Sequence, residues 1–302
     1  MKRLVPLALL VALCGSPAQA LRVPSAPRCA IFPKTNAWNK RVDTLPIAPD
    51  SDAIIRSIGA DTGLHPDFGS GLYAGGRIGI PFDVVTRATP RVRVNFDYAD
   101  ESDKGPYPIP RRVHIESGGD RHALLLDRDA CRLYELYALM RTRNGWHAGS
   151  GTIWSLRSNR LRPAGWTSAD AAGLPIFSGL VRYDEVARGV IDHALRFTVD
   201  RTRRAYISPA RHYGSSLTDP ELPPMGLRVR LKAGFDVSSF PKQARAVLTA
   251  LKRYGMLVAD NGSSWYVSGV PDPRWKNDDL HTLGRVKGSD FEVVQTGRAT
   301  GP

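Results

Sequence analysis

Chemistry on this chain has to be sought in a few polar clusters. Asp120-Arg121-His122 sets an acid and an imidazole two positions apart, so on a strand they share a face and the carboxylate can orient the ring as a base. The same residues could simply satisfy polar groups at a strand entrance. Glu135 alternates onto the face of Leu133 and Tyr137. So much apolar surface should raise its pKa by desolvation, which suits a general acid, although an arginine partner would hold it ionised. His193 falls on the apolar side of an alternating segment, as a core histidine would. It comes after the adjacent carboxylates Asp184 and Glu185, and two acids beside a partly buried imidazole can tune one another. His212, within Arg211-His212-Tyr213, lies in a loop where polar groups can meet a substrate.

Around these sit residues that could hold a substrate. Trp146 and Trp154 offer flat faces for sugar rings, though tryptophan is as readily core, and Arg121, Arg196 and Tyr206 could contact an anionic or hydroxylated ligand. Among the 7 histidines no pair has the i, i+2 or i, i+4 spacing of two ligands on one element. A metal site would need His122, His193 and His212 from distant segments, so we expect no metal and no cofactor. No glycine-rich phosphate loop, Gly-x-Ser-x-Gly elbow, His-Glu-x-x-His or calcium-loop spacing occurs.

The elements that must position these residues are mostly strands. Ile80 to Thr86, Arg91 to Tyr98, Arg121 to Asp127, Cys131 to Ala138 and Gly145 to Leu156 have strand character, and the consecutive leucines in two of them imply that both faces are covered. Ile191 to Val199 and Met225 to Leu231 alternate cleanly. Met256 to Ala259 reads as a strand that Asp260-Asn261-Gly262 turns back into Trp265 to Ser268 as a hairpin. A helix is expected from Pro241 to Tyr254, with Ala244, Val247, Leu248 and Leu251 as its apolar stripe, and a shorter one over Asp50 to Ile58. Helical turns are expected over Ser168 to Ala172 and Asp184 to Gly189. Many short strands with one long helix predict a mainly β chain: an antiparallel β-sandwich, jelly-roll-like, with one packed α-helix and long loops.

Residues 1–20 have the form of a signal peptide, with Lys2 and Arg3 before an apolar run and Ala18-Gln19-Ala20 as the cleavage site. About ten apolar residues are too few for a membrane anchor, where roughly twenty are needed. Export to the periplasm or beyond is therefore expected, with a proline-rich arm over 21–49 and a single domain over 50–297. In that compartment Cys29 and Cys131 should form a disulfide, closing a loop of about 100 residues and contributing on the order of 4 kcal/mol. The formal charge is +13, or +11 once Lys2 and Arg3 are removed. A secreted basic chain meets acidic polysaccharide or anionic cell envelope sooner than nucleic acid.

Several phrases carry a resemblance: Gly-Leu-His-Pro-Asp-Phe-Gly at 63–69, Gly-Trp-Thr-Ser-Ala-Asp-Ala-Ala-Gly-Leu-Pro at 165–175 and Gly-Leu-Val-Arg-Tyr-Asp-Glu-Val at 179–186. Ile-Asp-His-Ala-Leu-Arg-Phe at 191–197, Pro-Pro-Met-Gly-Leu-Arg at 223–228 and Tyr-Gly-Met-Leu-Val-Ala-Asp-Asn-Gly at 254–262 extend it. The chain resembles a family of secreted bacterial proteins to which no activity is attached, which implies export and a single domain. Taken together, these features lead us to expect a secreted carbohydrate-active protein that cleaves an extracellular, possibly acidic, polysaccharide. As a hydrolase it would draw its acid and base from Glu135, Asp184 and Glu185. As a lyase it would neutralise a uronate with Arg196 or Arg121 while His193 or His212 takes the proton. The alternative is a non-catalytic protein that binds extracellular glycan or envelope.

Overall fold

The computed structural model describes residues 22–301; the expected signal peptide lies outside them. Among the described residues the strands form four separate sheets, none of which closes on itself. The largest has six strands in the order His65–Asp67, Tyr266–Ser268, Leu195–Val199, Met256–Asn261, Arg228–Leu231 and Phe291–Val293. Leu195–Val199 runs parallel to Met256–Asn261 and antiparallel to Tyr266–Ser268, so the sheet is mixed. The helix Lys242–Arg253 packs on it through Ala244, Val247, Leu248 and Leu251, all buried. Gly255 ends that segment at φ +64 with its α-carbon against the Val229 carbonyl, where an added Cβ would lie 2.2 Å from the oxygen. The helix Ser51–Ile58 buries Ile54, Ile55 and Ile58 against the same core.

A second layer is a four-stranded sheet in the order Ser150–Ser155, Arg132–Tyr137, Ala123–Asp127, Phe82–Val85. Its central leucines alternate faces as a strand requires: Leu124, Leu126 and Leu133 enter one core, and Leu125, Tyr134 and Leu136 another. The disulfide between Cys29 and Cys131 forms and draws the N-terminal arm onto the first of these cores, where Val23, Ile31 and Phe32 are buried. Further along, Arg228 donates to the carbonyls of Ala37 and Lys40 and Arg230 to those of Val42 and Leu45, which fastens the arm to the six-stranded sheet. A three-stranded sheet (Val94–Phe96, Gly145–Ala148, Met140–Thr142) and a two-stranded one (Leu72–Tyr73, Gly76–Arg77) complete the fold, with short helices at Tyr183–Arg188 and Asn277–His281.

The jelly-roll expectation is overturned. This is a mixed α/β fold with four helices and four open sheets among the described residues. Alternation tells which side chains share a face but not which strands lie together. The anticipated hairpin of Met256 to Ala259 with Trp265 to Ser268 does not form, because Leu195–Val199 is inserted between those two strands. The helical turn expected over Ser168 to Ala172 is an irregular loop, whose backbone is held by side chains from other segments.

Candidate functional site

At the seam between the six-stranded and four-stranded sheets lies an open cleft of about 330 Å³, lined among others by Tyr98, Asp120, Tyr137, Asp170, His212 and Asp260. Its wall is the loop 167–171. With no helix or strand to satisfy it, that backbone is pinned piece by piece. Arg162 donates to the Thr167 carbonyl, Glu101 accepts the Thr167 N–H at 2.8 Å, and the Ser150 hydroxyl donates to the Ser168 carbonyl at 2.6 Å. His122 donates from Nε2 to the Ala169 carbonyl at 3.0 Å and from Nδ1 to the Glu116 carboxylate. Burial works against the imidazolium, yet the bonded Glu116 outweighs it and raises the ring to about 9.

Asp170 is fully buried and takes a two-pronged bond from Arg196, 3.1 Å from Nε and 2.8 Å from Nη2. The third guanidinium nitrogen goes to the Ser268 hydroxyl. Geometry of this kind fixes Asp170 as a carboxylate. Asp260 is half-buried beside it. Burial first, and then the charge of Asp170, push its carboxyl up to about 7, with Arg196 pulling the other way. Of the two carboxyls, Asp260 therefore holds the proton.

A register shift explains how Asp260 reaches this place. Along the parallel pair, Phe197 sits opposite Val258 but Thr198 sits opposite Asp260, so Ala259 is an extra residue. Without that bulge Asp260 would follow Val258 into the core. With it, Asp260 joins Thr198 and Arg196 on the cleft side.

His212 donates from Nδ1 to the Ala171 carbonyl at 2.8 Å and stacks on Tyr213. A carbonyl can only accept, so the neutral ring has its proton on Nδ1 and presents Nε2 as a base. Asp120 is exposed at the cleft rim and enters no ion pair among the described residues. Burial, then the charges of Asp120 and Asp260 among others, raises the Tyr137 phenol.

Of the residues singled out from the sequence, the structure brings Asp120 and His212 to the cleft, with His122 and Arg196 directly behind its wall. The others lie elsewhere. Glu135 is fully buried, accepting the N–H groups of Ile176 and Phe177 at 3.1 and 2.8 Å and the Trp154 indole at 3.2 Å. Burial lifts it to about 7 against those donors. Glu185 is sealed between Arg182 at 2.7 Å and His193 at 3.2 Å, and Asp184 pairs with Arg188 at 3.5 Å on the same short helix. Arg121 donates to the Leu139 carbonyl, Tyr206 is buried in bridges to Met225 and Thr300, and Trp146 stacks under Arg141. Neither Trp146 nor Trp154 lines the cleft, so the flat faces anticipated for sugar rings do not come from these two tryptophans there.

Sequence reasoning missed Asp170 and Asp260. Asp260-Asn261-Gly262 has the composition of a turn, which hid a strand position. For Asp170 the available signal was a run of Thr167, Ser168 and Asp170 within apolar sequence, since such groups need buried partners. Among the described residues no three His, Cys, Asp or Glu side chains gather as a metal-holding group, and no helix is long and apolar enough to cross a membrane. Comparison with protein-family models, curated proteins and solved structures finds no match to this chain.

Proposed function

We propose that the cleft is a hydrolytic acid–base site acting on a glycosidic bond of an uncharged extracellular glycan. The observation that carries this reading is Asp260, a carboxyl that keeps its proton near neutral pH in an open cleft beside a locked carboxylate. In this reading Asp260 gives its proton to the leaving oxygen, His212 Nε2 takes a proton from the attacking water, and the Asp120 carboxylate stabilises the positive charge that develops on the sugar ring. Tyr98, more than half exposed at 54%, supplies a face for a sugar. Elimination on an acidic polysaccharide is disfavoured because the described lining carries the exposed, unpaired Asp120 and no arginine or lysine to receive a uronate. Export is supported by the leader-like N-terminus and by the disulfide, which belongs to an oxidising compartment.

The test is a panel of neutral and charged glycans, scored for binding and for new reducing ends, with wild type, Asp260→Asn and His212→Gln. Turnover of a neutral glycan that falls by about 100-fold or more in each variant, with binding retained, is the expected result. Turnover unchanged in both variants refutes the assignment, and binding without product makes the chain a glycan-binding protein instead.

A further inference from the structure

The four-stranded sheet has a second feature, at the end opposite the cleft. Three of its strands run in the same direction: Phe82–Val85 is parallel to Ala123–Asp127, and Ser150–Ser155 shares that direction because both it and Ala123–Asp127 are antiparallel to Arg132–Tyr137. Within two residues of the C-terminal end of each of the three stands an arginine: Arg87, Arg128 and Arg157. Strands that share a direction place their C-terminal ends at one edge of the sheet, so these arginines converge. The disulfide adds a fourth, Arg28, since Cys29 is bonded to Cys131 at that same edge. Together they surround a cavity of about 390 Å³ whose other lining residues are Asp129 and Cys131.

One acid serves four guanidiniums. Asp129 accepts the backbone N–H of Arg87 at 2.9 Å and lies 3.7 Å from the Arg28 guanidinium. Arg157 approaches the sulfur of Cys131 at 3.7 Å, and Arg87, Arg128 and Arg157 enter no ion pair among the described residues. Four like charges around one cavity repel unless something of opposite sign is drawn in. A single carboxylate would leave most of that excess uncompensated. A phosphoryl group, with its second charge and three strong acceptor oxygens, matches several guanidinium forks at once.

We propose that this cavity is a phosphate-binding site, separate from the cleft by about 20 Å on a strand rise of about 3.3 Å per residue. Its ligand carries a phosphoryl group, either free in solution or exposed on an anionic lipid surface, and the disulfide is the device that completes the site by holding Arg28 in place.

Calorimetry on the full chain at low ionic strength tests this, with pyrophosphate as the soluble probe, acetate as the carboxylate control and phosphatidic acid vesicles as the surface probe. Pyrophosphate should bind at least 10-fold more tightly than acetate. The double variant Arg87→Ala with Arg157→Ala, both exposed, should weaken it 10-fold or more while the thermal midpoint holds. Asp129→Asn, which keeps an acceptor but removes the lone negative charge, should tighten binding a few-fold. Capture by vesicles alone, lost in the double variant, assigns the phosphate to a lipid headgroup; binding of pyrophosphate assigns it to a soluble ligand. Affinity for both probes that is absent, or that is unchanged in the double variant, overturns the proposal.

Discussion

Replacing Asp260 by Asn should remove a pH dependence of stability that the cleft imposes. A free aspartate titrates near 3.8, and burial beside the Asp170 carboxylate raises Asp260 to about 7. Between those values the folded chain holds a proton that the unfolded chain has released. Stability contributed by this group therefore falls as pH rises from about 4 to about 7, and the whole loss is reached above 7. Each tenfold change in proton affinity is worth about 1.4 kcal/mol, so the ceiling is about 4 kcal/mol. Water in the open cleft relaxes part of this, and we expect about 2–4 kcal/mol. Asparagine keeps both contacts of the protonated acid: its amide N–H₂ can donate to Asp170, and its oxygen can accept the Asn261 N–H that now bonds Asp260 at 2.7 Å. Urea unfolding of wild type and Asp260→Asn from pH 4 to pH 8 reads the difference directly. The variant should gain on wild type steadily up to pH 7 and then hold its advantage. Parallel curves, or an advantage that shrinks with rising pH, would refute the assignment of the proton to Asp260.

Contacts around the site and the arm lead to two more expected outcomes. Glu116→Gln should destabilise the chain most below pH 6.5 and progressively less up to about pH 9, because the raised pKa of His122 makes its bond to Glu116 fully effective below the unfolded value and ineffective above the folded one. A gap between wild type and variant that stays constant over that range in urea titrations would count against the imidazolium. Replacing Cys29 and Cys131 together by Ser should cost about 3–5 kcal/mol in the same assay, since the bond spans 102 residues; a cost below about 1 kcal/mol would mean that the buried arm holds itself in place.

Local reading went furthest where a segment carries its own answer. The helix Lys242–Arg253 is legible from its stripe and flanking residues, and the leucine strands from runs that need cover on both faces. It failed where the answer depends on a neighbour far along the chain. Met256–Asn261 and Tyr266–Ser268 are adjacent in sequence and look like a hairpin, yet the strand between them comes from 195–199. The bulge at Ala259 lies in the pairing with that distant strand, and it puts Asp260 on the cleft side.

The candidate acids divide for a related reason. An apolar neighbourhood makes every buried carboxylate costly, and the fold can answer in two ways. It can supply a cation or a set of donors, as Arg182 and His193 do for Glu185, which is thereby held below its usual range despite burial. Or it can leave the proton on, as at Asp260, where the available arginine is already committed to Asp170. Only the second answer leaves a transferable proton facing solvent. Which one a given acid receives is decided by whether a distant segment brings a partner. That is why Glu185, next to Asp184 and eight positions before His193, reads from sequence as catalytic, while Asp260, set in Asp-Asn-Gly, reads as a turn.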